Sequence, residues 1–433
     1  MPPPMPASRP SSGLILVATV LLATPVPCPA RPEAGERPPS GLVEAEKPLV
    51  SRLRRALLTK DEPTARREAA ALMALLGPWA GVPDAPTRHL QPPNRSPIPL
   101  ARLLDYWTPV SASMARRVPW AGNPNADPAL LDAGLRTAGD PVSGYARLAA
   151  VVPGARTAYL ALARDGAEFL LRAQRPDGSF PFPDLRGRSR QFAPMIDALV
   201  RERPGALDHG WIIDDGGSGD LTYDTAICGV ALLEAWRATG DVRYRLAAQR
   251  AARWASGRPL VPNWNYNAFG AWLIAEVARE TADAALLDAA VTATFTGILP
   301  GMTPAGRWLD GHNARPVYHG ILVRGLIATW QAMPATHPRR EELRHAIAIA
   351  LDNACGEIET LGPTGATTVT EVLGKALLVF GENPRWAGAI TISVNALLAE
   401  TAGKNPDDGP PPGCFLATYL LWRLGHGSPQ GHP

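Results

Sequence analysis

Three short segments concentrate the side chains capable of chemistry. Residues 209–224 read HGWIIDDGGSGDLTYD and carry His209, Trp211, Asp214, Asp215, Asp220, Tyr223 and Asp224. Residues 263–267 read NWNYN and carry Trp264, Asn265, Tyr266 and Asn267. Residues 308–319 read WLDGHNARPVYH and carry Trp308, Asp310, His312, Asn313, Arg315, Tyr318 and His319. Each mixes aromatic rings with amide, imidazole or carboxylate groups. Flat rings cover the apolar CH faces of a pyranose while polar groups bond its hydroxyls, so a polysaccharide or oligosaccharide is the expected partner. Taken singly, each residue also has a plainer use. Asp224 and Asn265 stand where N-caps satisfy free backbone N–H groups, and a lone His or Trp ordinarily serves packing.

Two reactions fit these residue types, and cleavage of an acidic, uronate-containing polysaccharide by β-elimination is the one expected. β-Elimination on a uronate polymer needs the substrate carboxylate neutralised, which suits Asn265, Asn267, Asn313 or Arg315. It also needs a proton acceptor and donor, which suits Tyr318 with His312 or His319 beside it. Glycoside hydrolysis needs two carboxylates about 5 to 10 Å apart. Asp310 with Asp215, Asp220 or Asp224 would serve. A third possibility keeps the decorated surface for binding without turnover. Phosphate loops, serine nucleophile elbows, HExxH pairs and dense metal-ligand spacings are missing from the sequence, so no cofactor or metal is expected.

These segments need elements that bring them together. Amphipathic helices are predicted around Ser51–Leu76 and over Arg156–Gln174. From there the pattern becomes helix–turn–helix: Thr222–Thr239 with Val242–Ser256, Asn267–Glu280 with Ala284–Thr296, Pro316–Met333 with Arg339–Ala354, and Thr368–Phe380 with Pro384–Glu400. A single helix, Gly413–Leu424, follows. A unit of roughly 45 to 50 residues that cannot bury its own apolar face must stack on copies of itself. Turns within hairpins are short, whereas connections between hairpins (175–221, 257–266, 297–316, 355–367, 401–412) are long and chemically rich. Short and long connections therefore belong at opposite ends, and one end becomes a decorated mouth. First helices such as DTAICGVALLEAW and NAFGAWLIAEVA are nearly uncharged, as an inner layer would be. The expectation is an all-α fold, an (α/α) toroid of five to six hairpins.

That repeat resembles the toroid shared by many polysaccharide lyases and six-hairpin glycosidases. Arg315-Pro-Val-Tyr318-His319 followed by GILVRGLIA resembles the Arg…Tyr-His helix of alginate-lyase-type enzymes. The resemblance implies proton transfer by Tyr318 and carboxylate binding by Arg315. The segment NWNYN stands where that family has an Asn-Asn-His motif, with Asn265 as the implied neutralising group and the motif's His absent here. LLRAQRPDGSFPF (170–182) is similar to the helix-ending segments of α/α-barrel pectate lyases and terpenoid cyclases, with Pro176 and Gly178 stopping the helix.

The composition is globular: 433 residues, 46% hydrophobic, 19% charged, net charge +3. Basic residues are scattered among acids, which excludes the basic stripe of a nucleic-acid binder. Residues 1–30 read as a signal peptide, with Arg9, the apolar run Gly13–Val26 and small residues near Ala30. The run is about 14 residues, short of the roughly 20 needed to span a bilayer. Export to a secreted or periplasmic location, without a stable membrane span after cleavage, is expected. Residues 31–99 form a Pro-rich leader with a short helix, and 100–433 the toroid domain. Cys228, Cys355 and Cys414 sit among apolar residues and read as small buried hydrophobes.

Overall fold

The computed structural model describes residues 32–36, 38–90, 93–405 and 413–424. The predicted signal peptide lies outside them. Fifteen α-helices, five three-residue 3-10 helices and three two-residue strands make up the described regular structure, so the chain is all-α in class. The helices are α1 (Ser40–Leu58), α2 (Glu62–Leu76), α3 (Leu100–Arg117), α4 (Arg136–Val151), α5 (Arg156–Ala173), α6 (Ala193–Glu202), α7 (Asp220–Thr239) and α8 (Val242–Ser256). They continue as α9 (Trp264–Thr281), α10 (Ala284–Gly297), α11 (Pro316–Ala332), α12 (Arg340–Leu361), α13 (Thr367–Phe380), α14 (Pro384–Thr401) and α15 (Gly413–Arg423).

The four hairpins read from the sequence are present, and their turns show why. Gly240 closes α7 in the left-handed region and Asp241 caps α8. Asp283 caps α10, and Asn383 caps α14 through the backbone N–H groups of Arg385 and Trp386. Such caps satisfy donors a helix start leaves free. Elsewhere the sequence reading falls short. The helix expected at 51–76 is two helices, broken where Lys60 takes a positive φ and Asp61 caps α2, and α1 begins earlier in the Pro-rich leader, at Ser40. Helices α3, α4 and α6 were not anticipated. Nor was the antiparallel sheet of β1 (Phe182–Pro183), β2 (Leu207–Asp208) and β3 (Trp211–Ile212), in the order β1-β3-β2.

Six helices pack in sequence: α4 on α7, α7 on α9, α9 on α11, α11 on α13, α13 on α15, and α15 on α4. Behind them α5 lies against α4, α8 against α7, α10 against α9, α12 against α11 and α14 against α13. Of the first set, α7, α9 and α11 bury residues on nearly every side, as helices covered from both sides do. The apolar stretch Ala284–Gly301 has the length and hydropathy of a membrane span, yet 61% of it is buried within the fold. Between α5 and α7 the chain makes an excursion with a small core of its own, Leu185, Ile196 and Ile212, which joins α6 to the sheet.

Gly178, at the end of the α5 segment, has φ +98°, and a Cβ there would strike the carbonyl of Arg250. Backbone cannot yield as a side-chain tip can. Gly178→Ala is expected to destabilise the fold by at least about 2 kcal/mol, read as a lower urea midpoint.

Polar groups on the six-helix set meet one another inside it. Arg147 of α4 bonds Glu371 of α13 at 3.0 Å and Glu234 of α7 at 3.4 Å, and Arg324 of α11 bonds the same Glu371. Lys375 of α13 bonds Glu276 of α9 at 2.8 Å, and Arg237 of α7 bonds Glu276 at 3.0 Å. Cations and carboxylates alternate, so buried charges are compensated as their desolvation requires.

Candidate active site

On α4, Arg136, Asp140 and Arg147 fall on one helical face, four and seven residues apart. Arg147 belongs to the interior ion network. Towards the helix start, Arg136 donates to Asp224 of α7 through both its backbone N–H, at 2.9 Å, and its guanidinium, at 2.7 Å. Asp224 thereby caps α4 from a neighbouring helix. Burial pushes its carboxyl pKa up, against the pull of Arg136. The Arg136 guanidinium also lies 4.5 Å from the centre of the Tyr223 ring, which stacks on Phe269 at 4.1 Å. Tyr266, 6.2 Å from Tyr223 between ring centres, donates its hydroxyl to Asp220 at the start of α7.

Tyr318, in the first turn of α11, joins this group. Its phenol contributes to raising the pKa of Tyr223, which burial above all pushes up to about 12. Burial and then the charge of Asp220 raise Tyr266 as well. His312 stacks on Tyr318 at 4.1 Å, and burial lowers its pKa, which favours the neutral imidazole.

Asp140 has the most distinctive setting. The residue is open to solvent, yet protein encloses its carboxyl at longer range. Desolvation raises its pKa to about 6, against the pull of Arg324, Arg147 and Arg136 and with the push of Glu371. The charge of Asp140 and the phenol of Tyr318 both act on Tyr223, and Tyr266, near Tyr223, bonds Asp220, so these residues from four helix starts share one neighbourhood with Arg136 as its cation.

The other residues singled out in the sequence take different places. His209, with a positive φ, projects from the turn before β3 with its side chain 95% exposed and bonds Asp208. Asp215 accepts N–H bonds from Gly217, Gly219 and Leu221 and pairs with Arg258, which clamps the loop ahead of α7. Asn267 ties Val261 and Gly297 together through three bonds. Trp264 is buried, and Trp308 is buried with its indole N–H donating to the carbonyl of Ile298. His319 is buried too. Its Nε2–H donates to the carbonyl of Ala350, and burial pushes its pKa down to about 3, so it stays neutral. Asn265 donates to Asn313, whose amide donates in turn to Asp310. Arg315 pairs with Asp84 at 2.6 Å. The structure thus brings Tyr318, Tyr223, Tyr266 and Asp220 together. The asparagines, His319 and Trp308 serve as framework.

Sequence reasoning missed Arg136 and Asp140. They lie in GLRTAGDPVSGYARL, where Gly139, Pro141 and Gly144 hide the helix, and the four-residue interval between them is the only signal. Among the described residues no grouping of three or more His, Cys, Asp or Glu has the geometry to hold a metal ion. No protein-family model matches the chain, and no curated protein matches it.

Proposed function

We propose that this chain is a carbohydrate-active enzyme of α/α-toroid architecture that hydrolyses a glycosidic bond at the Asp140–Asp220 cluster. The observation that carries the reading is Asp140, a solvent-reachable carboxyl with its pKa held near 6 amid aromatic rings. A general acid for a glycosidic oxygen needs that combination: protonated at working pH, yet open to substrate. Asp140 delivers its proton to the leaving oxygen. Asp220, oriented by the Tyr266 hydroxyl, is the second carboxylate, attacking the anomeric carbon or activating a water. Rings of Tyr266 and Tyr318 cover the sugar's CH faces. The toroid is supported by the order of neighbours, which returns from α15 to α4 and has a second helix behind five of the six. Secreted or periplasmic action rests on the leader sequence at 1–30.

Reducing ends released from oligosaccharides of varied linkage test this, and their absence across such a panel would sink it. The pH profile has a sign. An acid with a folded pKa near 6 is protonated below it, so kcat/KM is expected to be level below about pH 6 and to fall tenfold per unit above it.

One observation favours β-elimination instead, the stacked Tyr318–His312 pair. Elimination creates a C=C bond conjugated to a carboxylate. Ultraviolet absorbance rising on alginate or pectate, and falling at least about 100-fold in rate with Tyr318→Phe, is the outcome that reading expects. Against it, Arg136 and Arg315 are already paired with carboxylates, Asp224 and Asp84.

A further inference from the structure

A cavity adjoins this cluster through His312. The hairpin of α1 and α2 and the 309–312 loop enclose a cavity of about 380 Å³, within the size of small-molecule sites, roughly 300–1,000 Å³. Its walls differ in character. Leu53, Leu72 and Leu76 form an apolar wall, Trp79 and Trp264 contribute rings, and Glu36, Glu46, Asp84 and Asp310 supply carboxylates. Asp84 is neutralised by Arg315. Glu36, Glu46 and Asp310 have no ion-pair partner among the described residues, and no described Lys or Arg lines the space. His312 lines the cavity and stacks on Tyr318, so the recess adjoins the proposed active site.

Carboxylates facing one cavity raise one another's energy. Burial and then the charge of Asp310 raise the pKa of Glu46, and burial raises that of Asp310. Asp310 is nonetheless fixed in place by three hydrogen bonds from Asn313. A cation entering the cavity relieves this repulsion, and the rings and aliphatic wall receive the uncharged part of the same ligand.

We propose that this cavity is a subsite for a protonated amino-sugar unit, its ammonium held between Glu46, Asp310 and Glu36 and its ring against Trp79. The choice of a sugar over another amine rests on the carbohydrate reading above. The choice of a cation rests on the cavity alone.

Calorimetric titration of the full chain with a glucosamine trimer, its N-acetylated counterpart and a galacturonate trimer tests the subsite. The glucosamine trimer is expected to bind at least about tenfold more tightly than the acetylated one, and more weakly as salt rises. Glu46→Gln, on the half-exposed face of α1, is expected to reduce that affinity about tenfold. Equal affinity for the acetylated trimer, preference for galacturonate, no binding at all, or binding unmoved by Glu46→Gln would each overturn the proposal. Failure of the hydrolase reading registers separately. Asp140→Asn that leaves turnover intact removes that reading while the charge-selective binding stands, and turnover of neutral sugars alone removes the subsite while hydrolysis stands.

Discussion

Asp140→Asn is expected to lower kcat/KM on a cleaved saccharide by about 10²–10⁴-fold, the range that general acid catalysis supplies. The substitution keeps shape and removes only the proton that the leaving oxygen needs. Its effect on stability runs the other way. The folded pKa near 6 stands above the ordinary carboxyl value of 3.8, so the folded chain takes up a proton that the unfolded chain has released. Asp140 therefore favours folding most at low pH, and that contribution is lost as pH rises through the window between those values. At pH 7 the neutral amide should leave the urea midpoint unchanged or higher. Lost turnover with a retained midpoint is the expected pair of results. Full turnover would remove Asp140 from the mechanism.

Glu276→Ala is the substitution expected to cost the most stability, about 3–5 kcal/mol. Glu276 is buried at the junction of Arg237, Arg279 and Lys375, with distances of 3.0, 2.9 and 2.8 Å. Its removal leaves three cations facing one another with too little counter-charge. Lys375→Met should cost much less, because Arg237 and Arg279 still neutralise Glu276. Burial opposes its ionisation, but Lys375, Arg279 and Arg237 hold the Glu276 carboxyl well below the usual carboxylate range. The stabilisation is thus present above that range and is lost only as pH falls below it. Urea unfolding of both variants at neutral pH checks the contrast, and equal midpoints would show the network to be energetically idle.

The hairpins were legible because their information is local. A 3.6-residue apolar period specifies each one without reference to the rest of the chain, and in three of the four a capping Asp or Asn after a short turn marks the second helix. Helix α4 was illegible for the opposite reason. Gly139, Pro141 and Gly144 argue against a helix locally, and packing against α5, α7 and α15 overrides them. The site divides in the same way. Tyr318, Tyr223, Tyr266 and Asp220 announced themselves through aromatic and acidic neighbours in the sequence. Asp140 acquires its character only from groups on other helices, and Glu46 from a loop 264 residues later that faces the same cavity. The asparagines and His319 have the composition of a site, but their hydrogen-bonding capacity is turned inward to hold loops.

The docking of α15 between α13 and α4 also shapes how the chain reaches its fold. The thiol of Cys414 bonds the carbonyl of Asp140 across 274 residues. Closing so long a loop is inexpensive at equilibrium, since each doubling of length adds only about 0.6 kcal/mol. The kinetic demand is heavier. Hairpins α7–α8 through α13–α14 can form from neighbours as they emerge, while α4 waits for α15 with part of its apolar surface uncovered. Partially folded chains should therefore be adhesive along that seam, and the final docking is the step at which refolding and aggregation compete.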